Sequence, residues 1–108
     1  MPTYNKLVRD LIPEMIQNNG KTANFRILNE DEYLVELNKK MHEELSEYET
    51  ATTTMNIAEE LSDLLELIHA AADYYGLSAA DIEKIRSEKA KSRGSFERRI
   101  FLMDVEDH

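Results

Sequence analysis

The chain reads as an all-α protein, a small helical bundle with four main helices, on three observations. Only three glycines and two prolines interrupt its 108 residues. Its apolar residues recur at three- and four-residue steps rather than in strict alternation. Capping residues and stop signals fall between those periodic stretches, where helices need them. The length sets one domain, residues 1–108, with a core small enough that association with a second copy helps it considerably.

Leu11, Ile12, Met15 and Ile16 predict a short first helix ending near Asn18, with Asp10 as its N-cap, Pro13 in its first turn and Asn19-Gly20 as its stop. Asn24-Phe25-Arg26-Ile27-Leu28 has no helical period and reads as an extended arm, suited to crossing a partner subunit. A second helix is expected from Asn29–Asp31 to about Thr50, with Leu34, Leu37, Met41, Leu45 and Tyr48 as its apolar stripe. The run Thr50-Ala51-Thr52-Thr53-Thr54, rich in β-branched residues, breaks it. A third helix follows from about Met55 to Tyr75, striped by Ile57, Leu61, Leu64, Leu65, Ile68 and Ala72 and stopped by Gly76. Ser78, with Asp81 three positions on, opens a fourth helix that runs through Ile82 and Ile85 to about Lys91. Ser92 to His108 is a tail of mixed basic and apolar residues.

With 22 acidic against 13 basic residues, the surface repels phosphate backbones and nucleic acid is not an expected partner. A phosphate ligand needs a cation between itself and this much carboxylate. There is no cysteine, hence no disulfide framework and no thiolate metal site. Met1 to Asp10 carries Lys6, Arg9 and Asp10 and lacks the apolar run of an export signal, and no apolar stretch is long enough for a bilayer. A cytoplasmic protein without membrane partners is the expectation.

Glu43-Glu44-Leu45-Ser46-Glu47 returns almost letter for letter as Glu59-Glu60-Leu61-Ser62-Asp63, one copy on each of the two long helices. Carboxylates three residues apart share one side of a helix. At roughly 100° per residue, Glu44 and Glu60 both stand about 100° from the leucine that follows them, and Glu47 and Asp63 about 160° in the same sense. Packing the two stripes together brings the edge carboxylates close, where they repel and raise one another's pKa values unless a cation intervenes. Mg²⁺ suits such an oxygen set and commonly bridges carboxylates to substrate phosphates, with Mn²⁺ as a substitute.

Other candidates are weaker. Glu66-Leu67-Ile68-His69 matches the Glu-x-x-His unit of carboxylate di-iron bundles, but such units come in pairs and here there is one. His42 and His108 have no ligand spacing, Tyr74 and Tyr75 read as helix-end packing, and no glycine-rich phosphate loop is present.

Glu43-Glu44-x-x-Glu47, followed after twelve residues by Glu60-x-x-Asp63, resembles the metal-binding signature of the all-α nucleoside triphosphate pyrophosphatases, the superfamily of MazG-like proteins, dimeric dUTPases and phosphoribosyl-ATP pyrophosphohydrolases. Tyr4-Asn5-Lys6-Leu7-Val8-Arg9-Asp10-Leu11-Ile12-Pro13 is similar to the start of small stand-alone members, and Lys89 to Glu97 to their basic, glycine-containing segment after the last long helix. Ser92 separates Lys91 from Arg93 where many relatives have adjacent basic residues. The resemblance implies a Mg²⁺-dependent pyrophosphohydrolase acting on a nucleotide substrate, either a non-canonical nucleoside triphosphate or phosphoribosyl-ATP. It assigns Glu44, Glu47, Glu60 and Asp63 to the metal and Lys6, Arg9, Lys91 and Arg93 to phosphate; Glu43 adjoins the ligands and is the candidate for the attacking water. A homodimer or homotetramer is implied as well. The alternative expectation is a non-catalytic nucleotide- or protein-binding helical bundle that retains the architecture.

Overall fold

The computed structural model describes residues 3–107; Met1, Pro2 and His108, the outer ends of the expected leader-free start and of the tail, lie outside them. Among the described residues the protein is all-helical, with α1 at Ile12–Asn18, α2 at Glu30–Thr50, α3 at Thr54–Tyr74 and α4 at Ala79–Arg93. The first helix starts differently from the expectation. Leu11, not Asp10, is its N-cap, and no side chain caps it. An Asp10 cap needs a free N–H at the second or third helical position; Ile12 N–H at the second already donates to Arg9 O at 3.1 Å, and Pro13 at the third has none. The helix stops as expected: Gly20, at φ +81°, lets its own N–H and that of Lys21 return to Gln17 O and Ile16 O at 3.0 and 3.3 Å.

A reciprocal cap opens α2. Glu32 N–H donates to Asn29 Oδ1 at 2.9 Å and Asn29 N–H to Glu32 Oε1 at 3.4 Å. Arg26 grips the same carboxylate through both terminal nitrogens, at 3.1 and 2.8 Å, which ties the arm of residues 21–29 to the start of α2. Only Ala51, Thr52 and Thr53 separate α2 from α3, so the two long helices are forced to be neighbours, and Thr53 caps α3 by accepting from Asn56 N–H at 3.1 Å. Gly76, at φ +78°, closes α3 in the same manner as Gly20 closes α1, with Leu77 N–H donating to Ala72 O at 2.9 Å. Ser78 and Asp81 form the expected capping box of α4, with bonds of 2.8 and 3.0 Å, and that helix runs two residues past Lys91, to Arg93.

α2 packs along α3, and α4 packs on α3 alone. Leu37 and Ala72, at 1% and 5% exposure, are the buried apolar residues. The radius of gyration is 18.7 Å, against about 13 Å for a compact chain of this length. The missing compactness has a cause in the orientation of α3. Its face toward α2 carries Ile57, Glu60, Asp63, Leu64 and Leu67, all half-buried, whereas Leu61, Leu65 and Ile68 of the expected inward stripe stay 46%, 51% and 38% exposed. On α2 the corresponding correction falls on Leu45 and Tyr48, 42% and 37% exposed, while Leu34, Leu37 and Met41 do face inward. No helix of the described residues is long and apolar enough to cross a membrane.

Leu37→Ala should cost about 2–5 kcal/mol of stability, the usual range for emptying a filled leucine site, and lower the thermal midpoint followed by circular dichroism. Val35→Ala, at a 52% exposed position on the same helix, should shift it little.

Candidate metal centre

The rotation of α3 puts the acidic repeat into the seam between the two long helices. Glu44 is 6% exposed on α2, and Glu60 and Asp63 face it, half-buried, from α3. One carboxylate oxygen from each of these three residues lies within 4.8 Å of the others, a spacing that one small cation can span. Glu44 belongs to a second group on the same terms, with Glu43 and Glu47. Glu44 is thus the hinge between the α2 acids and the α3 acids. Glu47, although exposed, is joined to the cluster through it. Neither group includes Glu66 or His69.

The electrostatics of the seam are unfavourable without a cation. Burial, then a hydrogen bond with Glu60, then the fields of Glu47, Glu60 and Asp63 push the Glu44 carboxyl up to about 8. Glu44 Oε2 and Glu60 Oε2 are both buried without a hydrogen-bond partner when the two groups are ionised. A proton on one of them, donated to the other, partners both at the loss of one charge; a divalent cation would partner both and leave the carboxylates charged. Buried oxygens without a partner are rare in folded proteins, and either a proton or a bound cation would supply one here. The donor set, all hard oxygen, fits Mg²⁺ or Mn²⁺.

Basic side chains surround the cluster, and they are not all the expected ones. The arm preceding α1 lays Arg9 against α3, with Nη2 donating to Asp63 Oδ1 at 2.7 Å, and Lys6 against α2, with Nζ 3.8 Å from Glu43 Oε1. Both are expected to contact phosphate, and both stand on acids of the cluster. Lys40, one turn before the motif, sits 3.6 Å from Glu43 Oε1 and 3.9 Å from Glu44 Oε1. Sequence reading passed over it because a Lys three or four residues before a Glu is an ordinary helix-surface pattern. Its side chain is only 20% exposed, which sets it apart from such surface pairs. Lys6, Lys39 and Lys40 line a pocket of about 140 Å³ together with Asn5, Leu7, Glu36 and Glu43. Lys91 and Arg93 lie in the last turn of α4, a helix that packs on α3 and not on α2, and they form no salt bridge among the described residues, with the cluster acids or otherwise. Tyr74 packs edge-on to Tyr75 at 5.0 Å between ring centres and lies 6.2 Å from Tyr33, in keeping with helix-end packing.

Comparison with known proteins adds little to this geometry. No family model and no solved structure matches the chain. An uncharacterized protein of Mycolicibacterium smegmatis is 46% identical over 48 residues, 44% of this chain. The matched stretch spans about half of that relative's length, 49%.

The raised Glu44 value fixes the sign of a pH dependence. A carboxyl that holds its proton to about pH 8 when folded but releases it near 4.5 when unfolded adds stability in acid, and that contribution is lost as pH rises from about 4.5 through 8. In EDTA, the thermal midpoint should therefore fall between pH 5.5 and pH 8 more steeply for the native chain than for Glu44→Gln, as read by circular dichroism. Equal slopes for the two would place the Glu44 carboxyl outside the seam.

Proposed function

We propose that the protein is a divalent-cation-dependent nucleotide pyrophosphohydrolase of the all-α nucleoside triphosphate pyrophosphatase, or MazG-like, type. Its reaction is hydrolysis of the α–β phosphoanhydride of a nucleoside triphosphate, non-canonical ones included, or of phosphoribosyl-ATP, to a monophosphate and pyrophosphate. The observation that carries this reading is the buried, unpartnered pair Glu44 Oε2 and Glu60 Oε2, within a group that Asp63 completes from the same side. Solvated acids on a helix surface do not lose their partners in this way.

Glu44, Glu60 and Asp63, with Glu47 at the rim, are the residues that hold the cation. When bound, a divalent ion neutralises triphosphate charge and lowers the pKa of coordinated water. The chain's own residues do the rest. Glu43, half-buried beside the ligands and flanked by the Lys6 and Lys40 ammonium groups, accepts the proton of the attacking water. The water oxygen bonds to the α-phosphorus, the bond to the bridging oxygen breaks, and that oxygen leaves on pyrophosphate. Arg9, now on Asp63, would turn to phosphate oxygen when Asp63 serves as a ligand, and Lys6, 3.8 Å from Glu43, would add a second cation to offset the departing charge. Lys91 and Arg93 remain phosphate contacts in this scheme only if a second chain delivers them. A homodimer or homotetramer is accordingly part of the proposal, supported by the exposed Leu61, Leu65 and Ile68 stripe and by a solvent-accessible surface of 9895 Å² where a compact chain of this mass has about 6,200 Å².

Pyrophosphate release should be measured on canonical and modified nucleoside triphosphates and phosphoribosyl-ATP, with Mg²⁺, with Mn²⁺ and with EDTA. Release that needs the metal is the expected result, and Glu60→Gln should reduce it by at least about 10²-fold while the helical circular dichroism is kept. Tight nucleotide binding without release would favour a binding bundle instead. Undiminished turnover in Glu60→Gln would remove the seam from the mechanism.

A further inference from the structure

Residues 96–105, beyond α4, are rich in apolar side chains that nothing among the described residues covers. Phe96, Ile100, Phe101, Leu102, Met103 and Val105 are 95%, 71%, 88%, 73%, 87% and 77% exposed. Isolated exposed apolar side chains are ordinary, but six within ten residues form a patch of the kind that marks an interface. The segment nonetheless has a definite shape. Gly94, at φ +82°, turns the chain off the end of α4, and a turn follows in which Arg99 N–H donates to Phe96 O at 3.2 Å. Arg99 itself is held at φ +55°, a conformation that costs a residue with a β-carbon and persists where surroundings repay it. Its own chain supplies no such surroundings.

We propose that residues 96–105 are an exchange arm that lies on a second copy of this chain, on the outward apolar side of the α2–α3 hairpin where Leu45, Leu61, Leu65 and Ile68 are left uncovered. The proposal rests on the homo-oligomer in the reading above and specifies how it is built. Area favours this occupant. Each chain exposes roughly 3,700 Å² more than a compact chain of its mass, ample for the 2,000 Å² or more that obligate homodimers bury in total. Charge permits it. Residues 96–105 carry Arg98 and Arg99 against Glu97 and Asp104, so the arm is itself neutral and adds no net charge to a body that belongs to a chain of net charge −9. Just before the arm, Lys91 and Arg93 end α4, and none of these four bases has a salt bridge among the described residues. A neutral, apolar arm suits an uncovered apolar stripe of the same sequence, and an arm seated on the second copy carries Lys91 and Arg93 onto that copy's acidic body.

The test is site-specific photo-crosslinking in the full chain, with p-benzoylphenylalanine replacing Phe101 in one variant and Met103 in another, combined with light scattering of the unirradiated proteins. Expected are a dimer or tetramer in solution and, after irradiation, a band of twice the chain mass on a denaturing gel from at least one position, with crosslinked peptides falling in residues 30–74. If light scattering gives an oligomer but both variants crosslink only within their own chain or not at all, the arm is not exchanged while the oligomer stands. A monomer at every concentration would overturn both. Neither readout depends on catalysis, so an inactive protein leaves the result intact.

Discussion

The structure turns on the burial of carboxylates between α2 and α3. Two helices joined by three residues must pack, and in most proteins their most apolar faces would meet. Here Glu44 and Glu60 occupy the seam, with Leu37 the one large side chain fully buried among the described residues. Ionised groups so placed carry a desolvation cost that their mutual repulsion increases. A proton shared between Glu44 and Glu60, or a cation held by them, would each offset that cost, so whatever neutralises the seam also favours packing of the hairpin.

That choice of face determines the rest of the architecture. Once the acids take the inner side of α3, its leucine and isoleucine stripe points elsewhere, and no helix among the described residues covers it. Among the helices α4 packs only on α3, and the apolar side chains of residues 96–105 stay exposed. An extended single chain with a radius of gyration of 18.7 Å follows. The basic arm before α1 compensates the seam from outside. Its Arg9 and Lys6 pairs are solvent-exposed and contribute little to stability, about 0–1 kcal/mol each, so they can exchange partners without cost to the fold.

The helices were legible because their signals are local. Asn29 with Glu32, Ser78 with Asp81, and Gly20 and Gly76 act within a few residues of themselves, and the boundaries they imply match to within a residue or two. The exception, Asp10, failed for an equally local reason, the missing N–H of Pro13. The acidic cluster was legible because a five-residue repeat on two adjacent helices has few other uses. The facing of α3 was not. Periodicity shows that Leu61, Leu65 and Ile68 share a side, but which surface covers that side is a property of the assembly, not of the helix. Lys40 was missed because its significance lies in its burial, which no spacing reveals.

Electron paramagnetic resonance of Mn²⁺ tests the central claim most directly, since free aqueous Mn²⁺ gives a sharp signal that is lost on coordination by protein. Titrated at pH 7.5, the native chain should remove that signal saturably, and Glu44→Gln should remove far less at the same concentrations while keeping its helical content. If Mn²⁺ stays free in the presence of the native chain, or binds Glu44→Gln equally well, the seam does not hold a cation and its buried acids are protonated in the working protein.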